Sequence, residues 1–528
     1  MVSEPSGGRA EPTSRSTVRC VILCGIALLT VWATYSAGLQ RGMATSVSTR
    51  HAYYSLPYAV SSGQFGTTGY VILRDVAKFF IDAIPNISNE TVAQAAQLSP
   101  SREPMYFPGD DKGDADFVIL AFRLFGAKVE SLYRAWFALF VTGILLFMAF
   151  NWGRESRLAA LCVLTLAVYV AFFVLPLTRE LASVQNPRVF GVVSLVSVLQ
   201  LSFAMIDRRP LTWLAALACL PPALLIALTV HVRTPESWQA LAVFGVAAWL
   251  LVWWRPRPAL RCLWPAAVLL LALIGLNVYQ RASLDPVYAA THLQHRTMWH
   301  NVGVGFALNP ELARRYQLTL DDLPMITLIR RHLTDNNRAD EIDRIFRPAG
   351  EEDYKFSGIA KDFAGYERLA REVVFSIAWN NKGEAIQTFL VDKPRVLFRQ
   401  LMWAAGYQRY SLDELFLSGQ FGSVTPDSER VKHSVYLDLF RPWVLAGLLA
   451  TALAAGASQP RSDDASFVAL ACWVAFASLL PAMLAYPTIS TLGVVIVTIP
   501  AAVLAFALLG ARWVLPVGRP TWAARSER

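Results

Sequence analysis

The chain has 528 residues, 55% of them hydrophobic and only 16% charged, with a net charge of +9. Soluble domains carry about 25% charged residues, so the composition argues against one. The basic residues are not pooled in one patch, and most of their short clusters stand at the ends of apolar runs. That marks topology and not phosphate contacts, and it sets nucleic acid aside as a partner.

Residues 1–19 are polar and read as a cytoplasmic tail, with Arg9, Arg15 and Arg19 before the first apolar run, 20–39. That run is long for a signal peptide and lacks a clear cleavage site, so it is expected to be an uncleaved span. Further spans are expected at 131–150, 158–176, 189–206, 211–230, 238–254, 262–279, 438–456, 465–485 and 489–511. Each is long enough to cross a hydrocarbon core of about 30 Å. Arg154 and Arg157, Arg208 and Arg209, Arg255, Arg257 and Arg261, and Arg461 fall in the same alternate set of short connections. The other short connections hold Arg179, Arg188 and Arg233. The arginine-rich side is cytoplasmic, which puts both termini inside a plasma (inner) membrane.

The expected fold is therefore an all-α polytopic membrane protein of about ten transmembrane helices with two large extracytoplasmic loops. An N-terminal membrane region, 20–279, of about seven helices carries the first loop, 40–130. The second loop, 280–437, is a mostly helical soluble domain. About three C-terminal helices fill 438–511, and 512–528 is a cytoplasmic tail.

In the first loop, Tyr70–Ile84 has Ile72, Val76, Phe79, Phe80 and Ala83 on one side and Arg74, Asp75, Lys78 and Asp82 on the other. This amphipathic helix either lies on the membrane surface or packs on the loop's own core. In the second loop, helices are expected to start at Pro310, near Asp321-Asp322, near Gly365 and near Asn381. Arg395–Trp403 forms a basic amphipathic stretch. The six cysteines all lie in or beside apolar runs and have no metal-site spacing, so they read as small packing residues.

Three constellations could carry chemistry. Asp110, Asp111, Asp114 and Asp116 fall within seven residues just before the second span. A carboxylate there can act as general base towards a hydroxyl, and clustered carboxylates can hold a divalent cation, the one cofactor considered. The alternative is a solvated turn capping a helix. Arg179, Glu180, Gln185 and Arg188 stand in one short connection, where arginine can clamp a phosphate or anchor a headgroup. His292, His295 and His300 follow the seventh span. They can contact substrate phosphate or sugar, sit as packing residues, or less readily hold zinc, so no metal ligand is assigned. The chain has no GxxxxGK[ST], GxSxG or HExxH, which leaves nucleotide hydrolysis, an esterase elbow and a zincin protease without support.

The loop-one acids, the helix at 70–84, the second external domain and the segments Asp111–Gly126 and Trp299–Phe306 together resemble the GT-C superfamily of membrane glycosyltransferases. Those enzymes use a polyprenyl-phosphate-linked sugar. The resemblance implies a catalytic base among Asp110, Asp111, Asp114 and Asp116. It implies substrate binding by Arg179, Glu180, Gln185, Arg188, His295 and His300, with membrane lipids and a lipid-linked sugar donor as partners. Many members carry the acid soon after the first span, whereas residues 40–74 here hold neither Asp nor Glu. Other readings of the layout are an envelope polysaccharide polymerase or ligase, a transporter or flippase, and a non-catalytic assembly protein. The absence of charge inside the spans disfavours the transporter.

Overall fold

The computed structural model describes residues 14–47, 51–84, 86–107, 112–173, 187–207, 211–253, 260–295, 297–320, 322–346, 360–396 and 469–484 without 471 and 475. Among these residues the fold is almost wholly helical. One two-stranded antiparallel ribbon, β1 (Val71–Leu73) and β2 (Pro104–Tyr106), pairs Ile72 with Met105.

The longer apolar helices are α1 (Ser14–Gln40), α6 (Val129–Phe150), α7 (Glu155–Phe173), α8 (Val192–Ile206), α9 (Trp213–Val232), α10 (Trp238–Trp253) and α11 (Trp264–Ala282). Five stretches are long and apolar enough to cross a membrane: Thr17–Gln40, Val129–Phe150, Trp213–Val232, Thr234–Val252 and Trp264–Ala282. Their exposed residues are themselves apolar. Leu29 and Trp32 on α1, Trp213 and Leu217 on α9, and Leu271, Ile274 and Val278 on α11 face outward. Water gives no reason for such a face, whereas hydrocarbon does.

The expected span at 189–206 differs in kind. Its helix α8 starts at Val192, after a 3₁₀ turn at Pro187–Val189, and has 15 residues. At 1.5 Å per residue that is about 22 Å, short of the hydrocarbon core. Residues Val192 to Met205 are all buried, so α8 is enclosed by its neighbours and needs no lipid-facing side. The expected spans at 438–456 and 489–511 lie outside the described residues, as do the residues before 469 in the span at 465–485.

Polar contacts show which helix ends meet. Arg157, at the start of α7, reaches Asp207 just after α8 at 2.7 Å and 3.0 Å, and Asn151 just after α6 at 3.2 Å. Arg154 also reaches Asp207, at 2.6 Å. At the opposite end, Ser194 of α8 donates to Gln239 of α10 at 2.5 Å and meets Thr229 of α9 at 2.7 Å. Tyr133 of α6 donates to Tyr35 O of α1 there at 2.7 Å. The helices therefore alternate in direction, as short connections require.

Between α1 and α6 lie a π-helical turn (His51–Ser55), α2 (Leu56–Phe65), α3 (Arg74–Asp82), α4 (Asn89–Ala95) and α5 (Lys112–Phe125). The amphipathic segment at 70–84 is not one helix: Val71–Leu73 joins the ribbon and only Arg74–Asp82 coils. Val76 and Phe80 are fully buried in the cluster shared with the membrane helices. The apolar side of α3 thus packs into the main helical cluster, whereas the sequence offered the membrane surface or the loop's own core.

After α11 come α12 (Pro286–Ala290), α13 (Trp299–Val304), α14 (Pro310–Tyr316), α15 (Asp322–Asp335), α16 (Asp340–Ile345), α17 (Phe363–Asn380) and α18 (Lys382–Gln387). The four helices expected from the sequence are α14, α15, α17 and α18. Asn309 caps α14 through Glu311 N and Leu312 N, and Asp362 caps α17 through Gly365 N, each supplying an acceptor the first turn lacks. Their apolar faces form a separate core around Val304, Phe306, Met325, Ile329, Leu333, Leu369 and Val373. The Arg395–Trp403 stretch is described only as far as Val396. All six cysteines are free thiols.

Candidate functional site

A third, smaller core joins the 51–116 segment to the start of the 286–396 unit. It contains Tyr58, Tyr70, Ile72, Met105, Phe107, Ala115 and Tyr288. Tyr106 and Tyr288 stack with centroids 5.1 Å apart, and the Tyr288 hydroxyl donates to Phe107 O. Gly69, at φ 67°, accepts from Asp285 N at 3.3 Å. A Cβ at Gly69 would overlap the Asp285 backbone, so this position requires glycine for both its φ and its space.

This joint fixes the first turn of α5, where Lys112, Gly113, Asp114 and Ala115 are all buried. A Cβ on Gly113 would overlap the His231 backbone at the end of α9, so glycine lets the two helix ends touch. Asp114 is 3% exposed. Its Oδ2 accepts from His51 Nδ1 at 3.0 Å and Ser55 Oγ at 2.5 Å, while its Oδ1 has no partner among the described residues. Asp116 Oδ2 accepts from the Tyr70 hydroxyl at 2.8 Å and His231 Nε2 at 2.7 Å. Burial beside the Asp116 charge pushes the Tyr70 phenol far up, so Tyr70 stays a donor. Asp114 and Asp116 are thus committed to two different histidines. Among the described residues, no group of three or more His, Cys, Asp or Glu stands close enough to hold a metal ion.

One helical turn before Asp116, Lys112 enters a cavity of about 730 Å³ at the end of α11. Its Nζ lies 5.5 Å from the Tyr288 ring centre and donates to Gln294 O at 3.5 Å. Arg281 and His295 add cationic or ionisable groups, Asn277, Gln280 and Gln294 add amides, and Trp299, Met298 and Leu284 add apolar surface. Glu367 is the one carboxylate among the residues lining the cavity. It accepts from Met298 N at 2.9 Å, Trp299 N at 2.7 Å and His300 N at 3.2 Å. Burial pushes its carboxyl up, against these three donors and nearby His300, which favour the charged form. Volume and lining suit a ligand of several hundred Å³ with an anionic group and a ring to lie on Trp299.

The sequence candidates divide sharply. His295 is exposed and lines the cavity. His300 does not: it is 1% exposed, with Nδ1 on the Tyr366 hydroxyl at 2.5 Å and Nε2 on Asp322 at 3.0 Å. His292 meets Asp362, which also caps α17. Asp114 and Asp116 stand on the helix that brings Lys112 but are not among the cavity's lining residues. Asp110, Asp111, Arg179, Glu180 and Gln185 lie outside the described residues. Arg188 is described only in its backbone, within the Pro187–Val189 turn.

Sequence reasoning missed Lys112, Arg281 and Glu367. The signal for Lys112 was a lone lysine inside an acidic run, and for Arg281 a lone cation just beyond an apolar span. Nothing local marks Glu367. The chain matches no protein-family model, no curated protein and no solved structure.

Proposed function

We propose that this protein is a membrane glycosyltransferase that moves a sugar from a polyprenyl-phosphate carrier to a cell-envelope acceptor, at the outer face of the plasma membrane. The observation that carries this reading is the cavity at the end of the apolar helix α11, where Lys112, Arg281 and His295 converge beside Trp299. A lipid-linked phosphosugar has matching parts: a tail that stays in hydrocarbon, a phosphate for the cations, and a sugar ring for the aromatic face. The resemblance to the GT-C superfamily in layout agrees.

In the proposed reaction an acceptor hydroxyl oxygen bonds to the anomeric carbon while the bond from that carbon to the phosphate oxygen breaks. The hydroxyl proton passes to a carboxylate, and polyprenyl phosphate leaves with its negative charge held by Lys112 and Arg281. Asp110 and Asp111 are the proposed bases. They precede Lys112 by two and one residues in the chain, whereas Asp114 and Asp116 are engaged by histidines.

The proposed topology has ten spans, cytoplasmic termini, and external loops at 40–130 and 280–437. The Arg154, Arg157 and Asp207 cluster sits at the opposite bundle end from Ser194, Thr229 and Gln239, in keeping with an arginine-rich cytoplasmic side. Reporter fusions after residues 154, 208, 257 and 461 should read cytoplasm, and fusions at 100 and 350 should read outside. A cytoplasmic signal at 350 would overturn both the orientation and the site of reaction.

The activity test uses the full chain in lipid nanodiscs with a panel of polyprenyl-phosphate sugars. Release of polyprenyl phosphate with sugar on an acceptor is expected. The reading fails if native mass spectrometry finds no retained polyprenyl phosphate and no panel member donates its sugar.

A further inference from the structure

The helix α17 is divided along its length. Its first half carries Arg368, Arg371 and Glu372; Arg368 and Glu372 join a network of exposed ion pairs with Glu341 and Arg338. Its second half turns apolar residues outward. Phe375 is 58% exposed and Trp379 73%, and the outward row continues through Ile386 of α18 to Leu390 at 70%. Phe375 and Trp379 lie one turn apart on α17, and Ile386 and Leu390 stand four residues apart across α18 and the π-helical turn after it; Asn381, at φ −137° and ψ 58°, interrupts the helix between the two pairs. Single exposed apolar residues need no explanation, but outward pairs so close in the chain do.

Three features say what covers the row. First, its cations are those of a headgroup layer. Lys382 Nζ stands 4.0 Å from the centre of the Trp379 ring, and the exposed Arg371 lies one turn before Phe375. Tryptophan beside lysine or arginine is the usual composition of a membrane–water boundary. Second, the row ends beside an apolar helix. Lys393, one turn past Leu390, donates to Leu484 O at 3.1 Å. Leu484 ends the short helix α19 (Leu480–Leu484). Earlier in that described segment, Trp473 donates to Ala242 O of α10 at 3.0 Å and packs where Gly245 leaves room. Third, Phe375 stands 5.3 Å between ring centres from Trp299, which lines the cavity.

We infer that the exposed side chains of Phe375, Trp379, Ile386 and Leu390 form a membrane-docking surface, seating the 286–396 unit on the phospholipid layer beside the cavity, with Arg371 and Lys382 at headgroup phosphates. The inference rests on the membrane reading and not on sugar transfer, so failure of the transfer assay leaves it standing.

The test places a photoreactive p-benzoylphenylalanine at position 379 or 390 of the full chain, reconstituted in phosphatidylcholine–phosphatidylglycerol vesicles. Position 344, whose exposed arginine pairs with Glu341 at 3.0 Å, is the aqueous control, and position 271 on the outward face of α11 is the lipid control. After irradiation, mass spectrometry should find phospholipid adducts at 379 and 390. Their yield should approach that at 271 and exceed that at 344 by about tenfold or more, as expected of side chains seated in the interface. Adducts to residues 397–468 of the same chain, adducts to a second copy, or lipid yields equal to those at 344 would each overturn the inference.

Discussion

Replacing Arg281 by alanine is expected to weaken retention of polyprenyl phosphate by about 10–100-fold, the loss of one charge-assisted contact worth about 1.5–3 kcal/mol. Arg281 is exposed at the end of α11 and lines the cavity, so its removal leaves no buried group stranded. Folding should be unchanged within about 0.5 kcal/mol. Arg281→Lys should recover part of the loss, because it restores the charge but not the planar fork. The measurement is native mass spectrometry of the full chain in nanodiscs at several lipid-phosphate concentrations. Retention equal to the wild type in Arg281→Ala would remove the cavity from the proposed site.

The second large effect is structural. His51→Ala should destabilise the protein by about 3–5 kcal/mol, because it leaves the buried Asp114 carboxylate with only Ser55 among its observed partners. Glu311→Ala is the comparison. It breaks an exposed pair with Arg314, with side chains 58% and 75% exposed, and such pairs contribute about 0–1 kcal/mol. Thermal unfolding of the purified full chain should separate the two variants widely. Equal midpoints would mean that Asp114 is not held as a buried charge.

What could be seen in the sequence follows from the range of the forces involved. The helices α14, α15, α17 and α18 were legible because caps and apolar spacing act over three or four residues. The apolar helices were legible as long runs of hydrophobic residues, five of them long and apolar enough to cross a membrane, although α8 shows that burial among other helices leaves much the same run of Val, Leu and Phe. The acidic segment stood out, but its chemistry did not. Asp114 is paired 63 residues away with His51, and Asp116 is paired 115 residues away with His231. No local pattern encodes those partners. A solvated turn does not describe Asp114, which is 3% exposed in the first turn of α5, whereas Asp116 is only partly buried. Lys112 stands in the same acidic run, and nothing local shows that it lines the cavity.

The joint between the two loops also has a consequence for biosynthesis. The Phe107 carbonyl accepts from Tyr288, 181 residues further along the chain, and Lys112 reaches Gln294, 182 residues on. At about 5–20 residues per second, the ribosome takes on the order of 10–40 s to supply those partners. During that interval the aromatic face of Tyr70, Met105 and Phe107 is already made, while the tyrosine that completes it does not yet exist. The nascent chain must therefore hold an unfinished apolar surface while α6 to α11 are made, a window in which a holding chaperone would shield it from aggregation.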